Sequence, residues 1–332
     1  MSASRQGTDS TRPPLRIFHE EAIRQAVDDV TALLSAENAF EALARGRALV
    51  PPPLGVDLPG VQGEVHVKGA WIHDAPIFAF KAATGFYANA SRGLPSGSGL
   101  VLVFDSSTGF PLAVLADNGY LTDLRTAAAG ALAVRLLAPD ASLRVAVLGT
   151  GVQGRMQIRL TGRVREVREV HAWSPSSESR DRYAEEMGQI LGVPVTPESS
   201  PESAVSGADL VITATPARKP LLELGMLSPG VTVVALGSDG PEKTELAPDL
   251  LSHADKVVTD LTDQCLRIGE LHHAVDAGVM VSTDVHAELG QILVGARPGR
   301  EGSEDIVCDL TGVGAQDAAI AAVAYSALAG AS

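Results

Sequence analysis

In this 332-residue chain, a glycine pattern and three isolated charged residues have the types and spacing that chemistry needs. The glycines lie in Val145-Ala-Val-Leu-Gly149-Thr150-Gly151-Val152-Gln153-Gly154, which is G-x-G-x-x-G directly after an apolar strand and at the opening of a helix. A chain with 33 glycines can produce such a triplet by chance in a loop, but strand before and helix after is the context that gives it meaning. Gly149 allows the tight turn, Gly151 removes a Cβ that would block a pyrophosphate, and Gly154 lets helix and strand approach closely. Free N–H groups at the helix start then favour phosphate charge. The segment reads as a dinucleotide site.

The second strand of such a unit distinguishes the two nicotinamide dinucleotides. An acid about 20 residues after the glycines grips the ribose 2′-hydroxyl of NAD. Here the stretch is Trp173-Ser174-Pro-Ser-Ser177-Glu-Ser-Arg180, with hydroxyls where the acid is expected and Arg180 and Arg182 behind them. Nothing in Ser174–Ser177 repels a 2′-phosphate, and an arginine could pair with it. The cofactor is read as NAD(P)H, with the pattern favouring NADP and leaving NAD open.

Three charged residues stand out, each embedded in apolar sequence. Lys81 ends the run Ile77-Phe-Ala-Phe80, Arg125 precedes the Ala-rich stretch from Ala127, and Asp239 follows the strand Val231–Leu236. Burying such a group is costly unless it meets an opposite charge. From pattern alone each could serve a ligand, an ion pair or the surface. The adjacent pair His272-His273 points apart on a helix and reads as packed or solvated, so no metal is expected.

The elements that position these residues follow from periodicity. Residues 1–17 are polar at their start and are expected as a mobile tail, and residues 18–47 show helical spacing until Pro51–Pro53. Short β-like runs at 65–68, 77–82, 99–104 and 111–116 suggest an antiparallel or mixed sheet, followed by a buried helix over 127–137. From Pro139 the pattern changes. Val-rich strands at 144–148, 167–173, 209–213, 231–236 and 256–259 alternate with helices at 153–161, 179–191 and 202–206, as in a doubly wound parallel sheet. Residues 314–329 form a last apolar helix.

Composition bounds the function classes. Lys plus Arg is 26 against 40 for Asp plus Glu, a formal charge of −14, which argues against nucleic-acid or anionic-lipid partners. Apolar residues are 45% and aromatics 4%, which suits an Ala/Val/Leu core and excludes general disorder. Two cysteines are too few for a disulfide framework or a cysteine zinc site. The first seventeen residues hold no apolar core of a signal peptide, and no apolar run reaches the roughly 18 residues of a membrane span. A soluble, cytoplasmic protein is expected.

At these residues the chain resembles the ornithine cyclodeaminase/mu-crystallin family along nearly its whole length. The resemblance is carried by Phe80-Lys81, Thr122-Asp-Leu-Arg125-Thr126-Ala-Ala, the glycine loop, Asp239-Gly-Pro-Glu-Lys-Thr-Glu, Glu288-Leu-Gly290 and Thr311-Gly312-Val313-Gly314-Ala-Gln-Asp317. It implies a Rossmann-type domain over 128–309 inserted into an α+β substrate and dimerisation domain made from 18–127 and 310–332, in a homodimer acting on a small imino or amino acid, with Lys81 and Arg125 on the α-carboxylate and Asp239 at the substrate nitrogen. It also implies that Thr311–Gly314 lies near the nicotinamide, with Thr126, Thr215, Thr311 and Val313 on the cofactor and Gly312 on the substrate. Two departures matter. Many members carry an arginine after the first helix, where this chain has Val50-Pro-Pro-Pro-Leu-Gly-Val56. The cyclodeaminases also carry a glutamate thirteen positions before the strand lysine, and here that position is Lys68. Lys68 and nearby His66 would repel a distal ammonium and attract a carboxylate. The reading is an NAD(P)H-dependent imino-acid reductase for a dicarboxylic imine such as iminosuccinate. An ornithine cyclodeaminase and a non-catalytic NADPH-binding protein are the alternatives.

Overall fold

The computed structural model describes residues 13–330. Its first sheet contains β1 (Arg16–His19), β2 (Ala48–Leu49), β3 (Leu54–Leu58), β4 (Gly63–Ile72), β5 (Ile77–Phe86), β6 (Gly97–Asp105) and β7 (Pro111–Ala116). The order is β1-β7-β6-β5-β4-β2, with β3 also paired to β4. Every pairing is antiparallel except β1 with β7, so the sheet is mixed. The tail expected over 1–17 therefore ends earlier: Arg16 and Ile17 pair with Ala113 and Val114 on the free side of β7. The remainder of that expectation, residues 1–12, lies outside the described residues.

The helical pattern of residues 18–47 folds as two helices, α1 (Glu20–Ala26) and α2 (Asp29–Ala44). The break has a local cause. Asp28 Oδ1 accepts the Thr31 N–H at 2.8 Å and caps α2, while the fully buried Val27 takes an extended conformation. Helix α3 (Tyr120–Leu137) starts seven residues before the expected Ala127, so Arg125 lies within it rather than ahead of it.

The second sheet is wholly parallel. It contains β8 (Leu143–Leu148), β9 (Val167–Trp173), β10 (Val195–Pro197), β11 (Leu210–Thr213), β13 (Thr232–Ala235), β15 (Lys256–Thr259), β16 (Ala287–Glu288) and β17 (Ile306–Asp309). Its order is β10-β9-β8-β11-β13-β17-β15-β16, a doubly wound Rossmann-type arrangement around the start of β8. The sequence gives no strand signal strong enough to single out β17, yet it sits between β13 and β15. A separate ribbon pairs β12 (Arg218–Leu222) with β14 (Thr244–Leu246). Helices α4 (Val152–Val164) and α5 (Ser177–Leu191) follow β8 and β9, and the chain closes with the C-terminal helix Gly314–Gly330.

Helix α3 belongs to both cores, which explains why most of its residues are buried. Leu121, Leu124 and Ala127 pack with Val101, Leu115 and Ile320 beside the first sheet, while Leu132 and Leu137 pack with Val145, Ile158 and Val234 of the second. Full burial of each leucine is worth roughly 1.5–3 kcal/mol. The helix cannot shift without exposing both cores, and Arg125 rides on it.

Candidate active site

Strand alternation places Glu64, His66 and Lys68 on one face of β4. The β4–β5 register sets Lys68 opposite Lys81, so both ammonium groups share that face. Lys81 is in mid-strand rather than at a strand end, because β5 continues to Phe86. Both lysines and Arg125 are buried. One carboxylate meets two of them: Asp317 Oδ1 is 3.2 Å from Lys81 Nζ and 2.9 Å from Arg125 Nε. Its other oxygen, Oδ2, is buried without a hydrogen-bond partner. Burial pushes the Lys81 amine down to about 7, helped by the Arg125 charge and opposed by Asp317. Lys68 is shifted the same way by burial and by Arg125. Burial raises the Asp317 carboxyl, but Arg125 and Lys81 outweigh it and hold Asp317 below its ordinary range.

The turn after β17 lies against these cations. Lys68 Nζ donates to the carbonyls of Thr311 and Gly312, each at 3.0 Å. Gly312 has φ +78°, and a Cβ there would come within 2.5 Å of Arg125 Nη1. Glycine is required on both counts. Asp260 fixes the turn from below: its Oδ2 accepts the N–H groups of Thr311 and Gly312 at 2.8 and 2.6 Å. The Thr311 hydroxyl donates to Asp260 Oδ1 at 3.0 Å, and Gln264 Nε2 donates to that hydroxyl at 2.8 Å. Val313 is fully buried in the first core, with its N–H donated to Gln316 Oε1, so only its backbone borders the site.

Asp239 lies on the loop after β13, near enough to Lys68 for their charges to interact, with 41% of its side chain exposed. Lys243 Nζ donates to Asp239 Oδ1 at 2.7 Å, to Glu64 Oε1 at 3.0 Å and to the Tyr87 hydroxyl at 2.9 Å. This cluster joins the loop to the first sheet. Burial pushes the Asp239 carboxyl up, but the Lys243 and Lys68 charges outweigh it and hold it below its usual range. Glu64 is likewise held down at about 2, because His66, Tyr87 and Lys243 outweigh its burial. His66 Nε2 is 3.6 Å from Glu64 Oε1, within ion-pair range but beyond hydrogen-bond length, and is buried with no hydrogen-bond partner.

The glycine loop has the shape of a phosphate cradle. Gly149 has φ +111°, and a Cβ there would collide with the Ala214 carbonyl oxygen; a Cβ on Gly154 would strike the Gly149 carbonyl. A Cβ on Gly151 would meet nothing within 4 Å, so open space lies before the start of α4. That space and the unpaired N–H groups of α4 fit a pyrophosphate. The Thr150 hydroxyl bonds the Ser174 and Ser179 hydroxyls, each at 2.8 Å, and Arg180 Nη1 donates to the Ser174 carbonyl at 2.5 Å. Arg182 instead pairs with Glu178 in solvent. Val152 is exposed at the helix start, while Gln153 Nε2 donates to Asp123 Oδ1 at 2.9 Å and ties α4 to α3. The Thr126 hydroxyl is spent on the Thr122 carbonyl, and both the N–H and the hydroxyl of Thr215 bond Glu245.

Asp317, Asp260, Gln264, Glu64, Tyr87, Lys243 and Glu245 were not singled out for roles in the sequence. A signal did exist for Asp317, an acid in an Ala-rich apolar helix. The His272 and His273 rings, expected to point apart, lie with centroids 5.1 Å apart, and His273 Nε2 bonds the Lys243 carbonyl. Among the described residues no helix is long and apolar enough to cross a membrane.

Residues 18–332 match the model of the ornithine cyclodeaminase/mu-crystallin family. The chain is 41% identical over 314 residues to a putative dehydrogenase of Rhizobium meliloti, covering 94% of this chain and 95% of the relative. It is 31% identical over 303 residues to the iminosuccinate reductase of Paracoccus denitrificans, covering 89% and 93%. The crystal structure of that reductase with NAD+ superposes with a TM-score of 0.87 over 96% of this chain and 97% of the other, at 29% identity. Thermococcus litoralis Δ1-pyrroline-2-carboxylate reductase, in complex with NADH and L-proline, gives a TM-score of 0.91 at 27% identity, over 95% and 98% of the two chains.

Proposed function

The chain belongs to the ornithine cyclodeaminase/mu-crystallin family, and from that premise we propose that it reduces a small α-imino acid to the amino acid with NAD(P)H. The proposed substrate is a dicarboxylic imine, of which iminosuccinate is the simplest. One observation carries this reading. Among the described residues, Lys68, Lys81 and Arg125 are three buried basic groups on one site, and Asp317, on Lys81 and Arg125, is the one carboxylate in contact with any of them. The nearby Asp239 already has Lys243 as its partner. Two further negative charges balance such a site, and each pair at 4 Å is worth about 4 kcal/mol at an effective dielectric of 20.

In this reading Lys81 and Arg125 hold the α-carboxylate and so fix the orientation of the neighbouring imine carbon. Lys68 has one N–H beyond its two carbonyl bonds and faces the second carboxylate, with His66, whose Nε2 has no hydrogen-bond partner, two residues away on the same strand face. Asp239, held ionised, stabilises the protonated imine nitrogen and exchanges its proton. The nicotinamide supplies a hydride when bound. Gly149, Thr150, Gly151, Val152, Gln153 and Gly154 would hold its phosphates, with Ser174 and Arg180 at the adenosine end. Thr126, Thr215, Thr311 and Val313 would border its nicotinamide side, and Gly312 the substrate. A distal ammonium, as in ornithine, would face Lys68. Glu64, the acid on that strand face, is already engaged by Lys243 and Tyr87.

The outer face of the first sheet also bears on assembly. Leu102 is exposed, and Phe78, Phe80 and Phe104 cluster there, with Phe78 stacked on Phe104 at 5.1 Å. A second copy of the chain would cover this apolar face, and sedimentation at twice the protomer mass is the result that supports a homodimer; a monomer at micromolar concentration contradicts it.

The proposed reaction is tested by following NAD(P)H loss with oxaloacetate and ammonia in wild type and Asp239→Asn. The variant is expected to lose roughly a hundredfold in turnover, the range for a proton-transfer group, with NADH binding retained. Equal turnover in the two proteins would remove Asp239 from the chemistry.

A further inference from the structure

We propose that Glu245 is a positioning residue that locks the loop after β11 to the loop bearing Asp239, so that cofactor and catalytic acid keep one fixed relation. Glu245 lies on β14 and is fully buried. Its Oε1 accepts the Thr215 N–H at 2.6 Å and the Thr215 hydroxyl at 2.7 Å. Its Oε2 accepts the Thr213 hydroxyl at 2.6 Å and the Gly237 N–H at 2.8 Å. Four donors therefore converge on one carboxylate, three from the end of β11 and its following loop and one from the loop after β13. Among the described residues no lysine or arginine touches it.

The positions of those loops give the contact its meaning. β11 and β13 are neighbours in the parallel sheet, and their carboxyl ends form the edge where ligands of such sheets bind. The glycine loop packs directly on the first loop, because a Cβ on Gly149 would collide with the Ala214 carbonyl. Two residues beyond Gly237 is Asp239. There is no slack in the joint: a Cβ on Gly237 would strike both the Thr215 carbonyl and the Glu245 side chain. Glu245 itself is held from behind, since the buried Glu270 accepts the N–H groups of Glu245 at 2.7 Å and Leu246 at 3.2 Å.

A carboxylate in this place is costly, because burial opposes its charge and no cation offsets the loss of water. What it supplies is direction. Backbone N–H groups cannot rotate away, so an acceptor between Thr215 and Gly237 sets the spacing of the two loops.

The inference rests on the imine-reduction reading for its kinetic arm only. Glu245→Gln keeps the volume but turns one face into an NH2 group that opposes a backbone N–H. Expected results are a fall in kcat of about 30-fold, a dissociation constant for NADH within about threefold by fluorescence titration, and faster amide exchange at both Thr215 and Gly237. Thr213→Val, which removes one hydroxyl and leaves both backbone bonds, is expected to lower kcat by about fivefold and serves if the first variant does not fold. Two results overturn the proposal: folded variants with kcat and amide exchange both unchanged, or a kcat loss fully matched by loss of NADH binding. If wild type reduces no imine, the reaction reading fails, while the exchange at Thr215 and Gly237 still decides the role of Glu245.

Discussion

Lys68 and Lys81 occupy partnered positions on adjacent antiparallel strands, so two buried ammonium groups share one face of the sheet. Like charges placed opposite one another weaken a strand pair. The arrangement persists because Asp317 reaches Lys81 from the C-terminal helix and the Thr311–Gly312 turn takes two bonds from Lys68. It makes this face of the sheet electron-poor and its protonation sensitive to anions.

A pH dependence follows for Lys81, whose amine is pushed down to about 7 by burial and by Arg125. Only the protonated amine holds a carboxylate, so kcat/KM for the imino acid is expected to fall as pH rises through about 7. An anion in the pocket restores the proton. Calorimetry at pH 8 in two buffers of different ionisation enthalpy, with a non-reactive dicarboxylate, should therefore show proton uptake that Lys81→Met removes. Absence of uptake in wild type would contradict a lowered Lys81. The linked effect on stability has the opposite sense: between about 7 and the unfolded value the unfolded chain binds more protons, so this lysine makes stability rise with pH.

Cofactor choice turns on Arg180, which is fixed at the end of β9 by its bond to the Ser174 carbonyl. Ser174–Ser177 contain no acid, and the Glu178 that follows is exposed and paired with Arg182. Arg180→Ala is expected to weaken NADPH by roughly 1.5–3 kcal/mol, the worth of a charge-assisted bond, while NADH is little affected. Equal effects on the two dinucleotides, measured by fluorescence titration, would take the 2′-phosphate away from Arg180.

Much of the site is legible in the sequence where a local rule forces it. The glycine loop is visible because Gly149 and Gly154 answer to contacts with segments that follow strands of the same sheet. Lys81 and Arg125 are visible because charge in an apolar run must be explained. Asp317 carries the same kind of signal, but its role is not legible because its partners are 192 and 236 residues away in sequence, and only tertiary packing brings the C-terminal helix against β5 and α3. Glu245 escapes for the same reason, since its donors come from the ends of two other strands. In the fold, β17 is four residues long and follows a polar loop, so its central place depends on pairing with β13 and β15 rather than on its own pattern. The break at Val27 is set by the Asp28 cap, which helical periodicity alone does not register.

The claim that three cations select a dianion is tested most directly by substrate preference. NAD(P)H loss would be followed with oxaloacetate and with pyruvate, each with ammonia, in wild type and Lys68→Met, beside ammonia release from ornithine. The account predicts that wild type reduces the oxaloacetate-derived imine much faster than the pyruvate-derived one. It also predicts that Lys68→Met narrows the ratio by about tenfold, equivalent to roughly 1.4 kcal/mol, and that ornithine releases little ammonia. Equal rates on the two imines, or ready deamination of ornithine by wild type, would contradict it.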